Sequence, residues 1–330
     1  MAKIFVVGSG SWGTALTINL ASSGSNTVRL WSRNPDFTEA LKATRKNKKY
    51  LPGVVIPESV EFTSDISECS DFEIIVIATP SHTVRSIARS MAEFVKPGQI
   101  VVSVSKGFDD EKHVRLTDAI KEEIPTATVL VMSGPSHAEE VARLLPTTNV
   151  VAGEDLVATK LVQKTFNTPS FRIYRSDDVV GVELGGALKN VLALASGVAD
   201  GIGYGDNTKA ALITRGIVEI SRLGIAMGAK PETFSGLSGI GDLIVTCASM
   251  HSRNRRTGIL IGQGYSVEAA KEEIGMVVEG ILAAQSVNHL CEKYGVEMPI
   301  ATEVYKVAFE GRNVNESITE LMGRKLKPEI

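Results

Sequence analysis

Lys3-Ile4-Phe5-Val6-Val7-Gly8-Ser9-Gly10-Ser11-Trp12-Gly13 decides the reading of this chain. Ile4 to Val7 is a short apolar run closed by glycine, the pattern of a buried strand. Gly8, Gly10 and Gly13 follow at GxGxxG spacing, and Thr14 to Ala21 continue with helical periodicity. Each glycine has a physical task. Gly8 permits the tight strand-to-helix turn, Gly10 lets a backbone approach a pyrophosphate, and Gly13 lets the helix pack closely. The helix start adds free N–H groups and a partial positive charge, to which Ser11 and Trp12 belong. A GxGxxG alone is common. With its strand before it, its helix behind it and its place at the head of the chain, this one reads as a dinucleotide turn.

Size and composition bound the rest. A chain of 330 residues is long for one core, so two domains are expected, 1–177 and 178–330. A net charge of -3 lacks the basic excess that a nucleic-acid partner demands. Cys69, Cys247 and Cys291 lie far apart, and the five histidines are as scattered. No metal site is expected, and a reduced cytoplasmic setting is. The chain enters a strand at once and has no apolar run long enough to span a bilayer, so neither a signal peptide nor membrane insertion is expected.

Thr27 to Trp31 reads as a second strand. Its end should carry the carboxylate that grips an adenosine ribose, yet Trp31-Ser32-Arg33-Asn34 follows, with no carboxylate before Asp36. The Arg33 guanidinium suits a 2′-phosphate, leaning the cofactor towards NADP, although an arginine on a solvated loop is the plainer alternative. Thr44 to Lys49 reads as a solvated, charged loop, ended by Tyr50-Leu51-Pro52-Gly53. Further strands are read at Glu73 to Ala78, Ile100 to Val104, Val129 to Met132, Val150 to Ala152 and Phe171 to Tyr174, with helices at Val84 to Phe94 and Val114 to Lys121. Alternating strands and helices imply a doubly wound, mostly parallel sheet of Rossmann type, whose ligands sit beyond the carboxyl ends of the strands. Thr79-Pro80, Lys106-Gly107 and Gly134-Pro135-Ser136 fall at such ends.

After Asp177 helical patterns take over, at Val179 to Val198, Thr208 to Met227, Ser266 to Lys271, Ile281 to Tyr294 and Ile300 to Phe309. The fold class is therefore α/β, a Rossmann-type domain followed by an all-helical one. Glu183, Lys189 and Asn190 interrupt an apolar helix. A buried lysine has a depressed pKa, useful for proton transfer, whereas an arbitrary helical lysine snorkels to solvent. Asp242 opens another short apolar helix, where a carboxylate can also be only a cap. Ser252-Arg253-Asn254-Arg255-Arg256 offers guanidinium forks and polar donors suited to a phosphate monoester.

Together GSGSWGTAL, SKG, SGPS, GVELGGALKNVLA, GLSGIGDLIVTC and SRNRR resemble the bacterial-type NAD(P)-dependent glycerol-3-phosphate dehydrogenases, in the right order over nearly the whole chain. The resemblance implies reversible reduction of dihydroxyacetone phosphate to sn-glycerol 3-phosphate with NADP or NAD, feeding phospholipid synthesis. It implies that Lys189 donates and accepts the proton, and that Lys106 touches cofactor and substrate. Gly134, Ser136, Asn190, Asp242, Ser252, Arg253 and Asn254 would line the substrate, and Thr246 would support the Asp and Lys network. Ser11, Trp12, Arg33, Tyr50, Ala138, Arg253, Val277 and Glu279 would meet the cofactor, and a homodimer is expected. His137 is not a catalytic position in that family. Two rival readings are a dehydrogenase of a hydroxy acid such as 6-phosphogluconate and a non-catalytic dinucleotide sensor. The Ser252-Arg253-Asn254 cluster argues against the first, and the presence of both Lys189 and Asp242 against the second.

Overall fold

The computed structural model describes residues 2–326, 328 and 329. Strand β1 (Ala2–Val7) is apolar on both faces because both faces are covered. Ile4 and Val6 point into one core with Leu16, Leu20 and Leu30, while Phe5 and Val7 point into the other with Ile75, Ile77 and Val84. Helix α1 (Ser11–Ser22) leads to β2 (Asn26–Trp31), α2 (Pro35–Thr44) and the short edge strand β3 (Glu61–Thr63). Then come β4 (Ile74–Ile77), α3 (Val84–Met91), β5 (Ile100–Ser103), α4 (Leu116–Glu123) and β6 (Thr128–Ser133). The brief α5 (Ala138–Val141) precedes β7 (Thr147–Ala152), α6 (Leu156–Phe166) and β8 (Phe171–Ser176).

The eight strands lie in the order β3-β2-β1-β4-β5-β6-β7-β8. All neighbours run parallel except β7 against β6. Strand order reverses between β1 and β4, the crevice where such sheets take a dinucleotide. The turn that enters it needs its glycines. Gly8 has φ +117°, and a methyl there would meet the Ala78 carbonyl oxygen at 2.7 Å. At Gly13 a methyl would lie 1.9 Å from the Gly8 carbonyl oxygen, so the first turn of α1 closes on the loop itself.

The loop expected to be solvated differs from that expectation. Asn47 is fully buried, donating to the Ser9 carbonyl at 2.9 Å and the Thr14 hydroxyl at 2.8 Å, and Leu51 is buried too. The charged neighbours stay near the surface while Asn47 pins the segment to the glycine turn. Five helices had no sequence assignment: α2, started by Asn34 and Pro35; the brief α5; α6, capped by Asp155; and α10 and α14 below.

The helical half is built on α7 (Val179–Ile202), buried along most of its length. Around it pack α8 (Asp206–Ala226), α9 (Asp242–Ala248), α10 (Arg253–Gly262), α11 (Val267–Ile274), α12 (Glu279–Tyr294), α13 (Pro299–Phe309) and α14 (Val314–Met322). Helices α7 and α10 nearly touch backbone to backbone. A methyl at Gly197 would sit 2.0 Å from the Arg255 carbonyl oxygen, and one at Gly258 2.2 Å from that of Leu194. Against the expectation that no apolar run is long enough to span a bilayer, α7 is, among the described residues, the one helix long and apolar enough to do so, but 89% of its apolar 18-residue window is buried inside the fold. Polar bridges tie the halves together. Glu183 accepts from the Thr117 amide at 2.9 Å and its hydroxyl at 2.5 Å, at the start of α4, so this helix interruption is structural. His113 and Ser286 pair at 3.0 Å.

Candidate active site

Lys189 does not snorkel. Its side chain is 8% exposed, and its ammonium donates to Asp242 Oδ1 and, at 2.8 Å, to Thr246 Oγ1. Asp242 is wholly buried at the start of α9, yet it caps nothing. Its second oxygen takes the Lys106 ammonium at 2.7 Å, so one carboxylate holds two lysines. Lys106 comes from the turn after β5 and donates also to the Gly134 carbonyl at 2.9 Å, with Ser136 Oγ at 3.5 Å. Thr246 is one turn along α9 and donates to the Asp242 carbonyl at 2.6 Å, which leaves its lone pairs to Lys189.

The charges follow from this packing. Burial pulls the Lys189 ammonium down to about 7, against the attraction of Asp242 and with the help of the like charge on Lys106. Burial works against the charge of Asp242, but Lys106 and Lys189 hold it below the usual carboxylate range. A lysine poised near neutrality beside a permanent carboxylate can both give and take a proton at physiological pH.

Arg253 starts α10, with Ser252 as its cap accepting from the Arg255 amide at 3.2 Å. The guanidinium is half-buried and makes no hydrogen bond or ion pair among the described residues, and burial lowers its pKa. Asn254 is committed: it donates to Asn190 Oδ1 at 2.9 Å and accepts from the Gly280 amide at 2.8 Å, binding α7, α10 and α12 together. His137 is placed beside the lysines but turns its ring to the Val245 carbonyl at 3.5 Å.

The turn after β1 fits a dinucleotide. Gly10 caps α1 with no side chain, and the first turn holds no acidic residue, so the amides of Ser11, Trp12 and Gly13 are left free to receive an anion. The Trp12 indole packs on Phe171, centroids 6.5 Å apart, which leaves only its backbone for a phosphate. Arg33, at the end of β2, is exposed and unpaired among the described residues. Tyr50 meets Phe37 edge-on at 5.8 Å, beyond Asn47. Ala138 opens α5, Val277 is half-buried before α12, and Glu279 opens α12 with both oxygens taken by Ser81. The structure thus gathers Lys106, Gly134, Ser136, Lys189, Asp242 and Thr246 into one hydrogen-bonded group, with Asn190 and Asn254 in a second, while Arg33 and Tyr50 stand apart on the β2 side. Asn47 and Ser81 were not singled out from sequence. Asn47 is the one amide in a basic run, and Ser81 directly follows the Thr79-Pro80 turn.

Sequence comparison bears on the same residues. A family model described as the NAD-dependent glycerol-3-phosphate dehydrogenase N-terminus matches residues 3–158, and its C-terminal counterpart matches 178–319. The chain belongs to this family. It is 53% identical over 330 residues to an NAD(P)+ glycerol-3-phosphate dehydrogenase of Agathobacter rectalis, covering all of this chain and 98% of the relative. A relative of the same name from Fusobacterium nucleatum is 51% identical, with 100% and 99% covered. Among solved structures, glycerol-3-phosphate dehydrogenase from Coxiella burnetii superposes with a TM-score of 0.94 at 35% identity, covering 98% of this chain and 99% of that one. A ketopantoate reductase from Ralstonia eutropha, 16% identical with a TM-score of 0.63 over 93% of this chain and 97% of that one, shares the fold alone.

Proposed function

We propose that the chain reversibly reduces dihydroxyacetone phosphate to sn-glycerol 3-phosphate with NADH or NADPH, and that Lys189 carries the proton. The product supplies glycerophospholipid synthesis. The observation that carries this reading is the hydrogen-bonded group Lys106–Asp242–Lys189–Thr246, with Arg253, unpaired among the described residues, at the start of the next helix α10. When bound, the reduced nicotinamide supplies the hydride. Gly8, Gly10, Ser11, Trp12 and Gly13 would hold the dinucleotide's pyrophosphate, with Arg33 and Tyr50 available to its adenosine end and Lys106, Ala138, Arg253, Val277 and Glu279 to the rest. Arg253 takes the substrate phosphate, aimed by Ser252 and Asn254, while Asn190 steadies Asn254 from α7. Negative charge develops on the carbonyl oxygen as the carbonyl carbon is reduced. The Lys189 ammonium stabilises that charge and gives up its proton, and Lys106, held by Gly134 and Ser136, adds a second positive charge. Asp242 keeps a proton on Lys189 until then.

Rates of NAD(P)H oxidation test this. Turnover with dihydroxyacetone phosphate, and little with unphosphorylated dihydroxyacetone, is expected. Oxidation of 6-phosphogluconate by the same protein, with no use of dihydroxyacetone phosphate, would overturn it. The same reading divides the chain at 177/178, supported by β8 ending at Ser176 and α7 beginning at Val179. It also makes the enzyme a cytoplasmic homodimer with no membrane insertion. Val218 and Ile225, apolar and 39% and 47% exposed on α8, support the dimer, and sedimentation as a monomer would remove it.

Cofactor choice turns on Arg33. The end of β2 has no carboxylate to repel a 2′-phosphate, and Asp36 stands exposed in the first turn of α2. NADPH should be used at least as well as NADH. Arg33→Asp should move the kcat/KM ratio towards NADH by roughly tenfold, the weight of one charge-assisted contact. A parent that strongly prefers NADH, with a ratio the substitution leaves alone, would reduce Arg33 to surface charge.

A further inference from the structure

The starts of α10 and α12 lie side by side, because the Gly280 amide donates to Asn254 Oδ1 at 2.8 Å. Arg253 precedes Asn254 and Glu279 precedes Gly280, so a guanidinium and a carboxylate begin neighbouring helices. No ion pair joins them. Instead the Glu279 carboxylate is drawn across to the other domain. The Ser81 amide donates to its Oε1 at 3.1 Å, and the Ser81 hydroxyl to its Oε2 at 2.5 Å. Ser81 is itself 2% exposed and firmly seated. Gly107, with φ +159°, packs so closely that a methyl on it would fall 2.6 Å from Ser81 Cβ and 3.2 Å from Glu279 Oε2. The turn carrying Lys106 therefore presses on the same contact.

A half-buried arginine without a partner is costly, and a carboxylate in the adjacent helix start is its obvious one. Burial lowers the Arg253 pKa against the pull of Glu279 and of Glu139 on α5. Burial raises that of Glu279, opposed first by the Ser81 donors and then by Arg253 and His82. We propose that Ser81 is a positioning residue that holds the Glu279 carboxylate off Arg253, so that the guanidinium stays available to the substrate phosphate. An Arg253–Glu279 ion pair would compete directly with that phosphate. Ser81 thus acts on substrate affinity through Glu279, from the opposite domain and without touching the substrate. The inference rests on Arg253 as the phosphate contact.

KM for dihydroxyacetone phosphate at saturating reduced cofactor tests it, in the parent, Ser81→Ala, Ser81→Ala/Glu279→Gln and Arg253→Ala. Inhibition by inorganic phosphate is measured beside it, and thermal melts verify folding. Ser81→Ala should raise the KM about tenfold, the scale of one charge-assisted hydrogen bond, with kcat little changed. Inhibition by inorganic phosphate should weaken in parallel. With reduced cofactor kept saturating, the double variant should bring the KM for dihydroxyacetone phosphate below that of Ser81→Ala, whatever it does to cofactor affinity, because an uncharged amide cannot form an ion pair with the guanidinium. If Arg253→Ala raises KM while Ser81→Ala does not, or if removing the Glu279 charge restores nothing, the inference falls and the phosphate role of Arg253 stands. If Arg253→Ala leaves KM unchanged, that underlying role falls with it.

Discussion

Lys189→Ala is expected to lose roughly two to four powers of ten in turnover while the protein still folds and binds dinucleotide. The loss follows from position. The Lys189 ammonium is the proton-bearing group that both Asp242 and Thr246 hold, and it is nearly sealed from solvent. Water cannot simply replace it. Folding should survive because Asp242 keeps its pair with Lys106 at 2.7 Å, so no buried charge is left alone. Lys189→Met, which retains most of the side-chain volume, separates lost chemistry from lost packing. A turnover within about tenfold of the parent in either variant would remove Lys189 from the proton-transfer step.

Asp242→Asn should be nearly as damaging by a different route. The carboxylate is 0% exposed and is shared by two ammonium groups. Neutralising it leaves Lys106 and Lys189 facing each other without their counter-ion. Lys106 keeps Gly134 and some exposure, so the strain concentrates on Lys189, whose pKa already stands near 7 through burial. That lysine should then be neutral at pH 7 and unable to protonate the product. Turnover in the reducing direction should fall by about a hundredfold or more. Stability should drop as well, by up to about 3–5 kcal/mol, the cost of breaking a buried pair, relieved as Lys189 sheds its proton. Thermal melts and initial rates read the two effects separately. A variant with parental rates at neutral pH would show that Asp242 is not what keeps the proton on Lys189.

Much of this architecture was legible in the chain, for local reasons. The glycine spacing at Gly8, Gly10 and Gly13 announces its turn because only glycine tolerates contacts as close as those made there. The alternation of strands and helices carries the doubly wound sheet with it. What escaped was short or depended on context. Strand β3 is three residues at an edge, too short for any period to show. Helix α10 was concealed by its own chemistry: Ser252 was weighed as a phosphate donor, although a serine three residues before Arg255 is also the signature of a helix cap.

The site divides the same way. Lys189 stood out because a lysine in an apolar helix is costly, and Asp242 because glycines surround it. That their side chains meet, 53 residues apart, comes from the packing of α9 on α7 and not from any spacing. The Ser81–Glu279 contact spans 198 residues and two domains, and no local pattern links the two positions. Asn47 was hidden by the lysines around it, which made a buried amide look like part of a solvated loop.

The pH dependence of kcat/KM in both directions tests the central claim most directly, that Lys189 is the group exchanging the proton. Reduction of dihydroxyacetone phosphate needs the ammonium, so its rate should fall as pH rises through about 7, the value to which burial has brought Lys189. Oxidation of glycerol 3-phosphate needs the free amine, so its rate should rise over the same interval. The residual activity of Lys189→Ala should lack both limbs, which separates the lysine from titration of the substrate's own phosphate. Limbs that persist unchanged in Lys189→Ala, or parent rates flat across neutrality in both directions, would contradict the account.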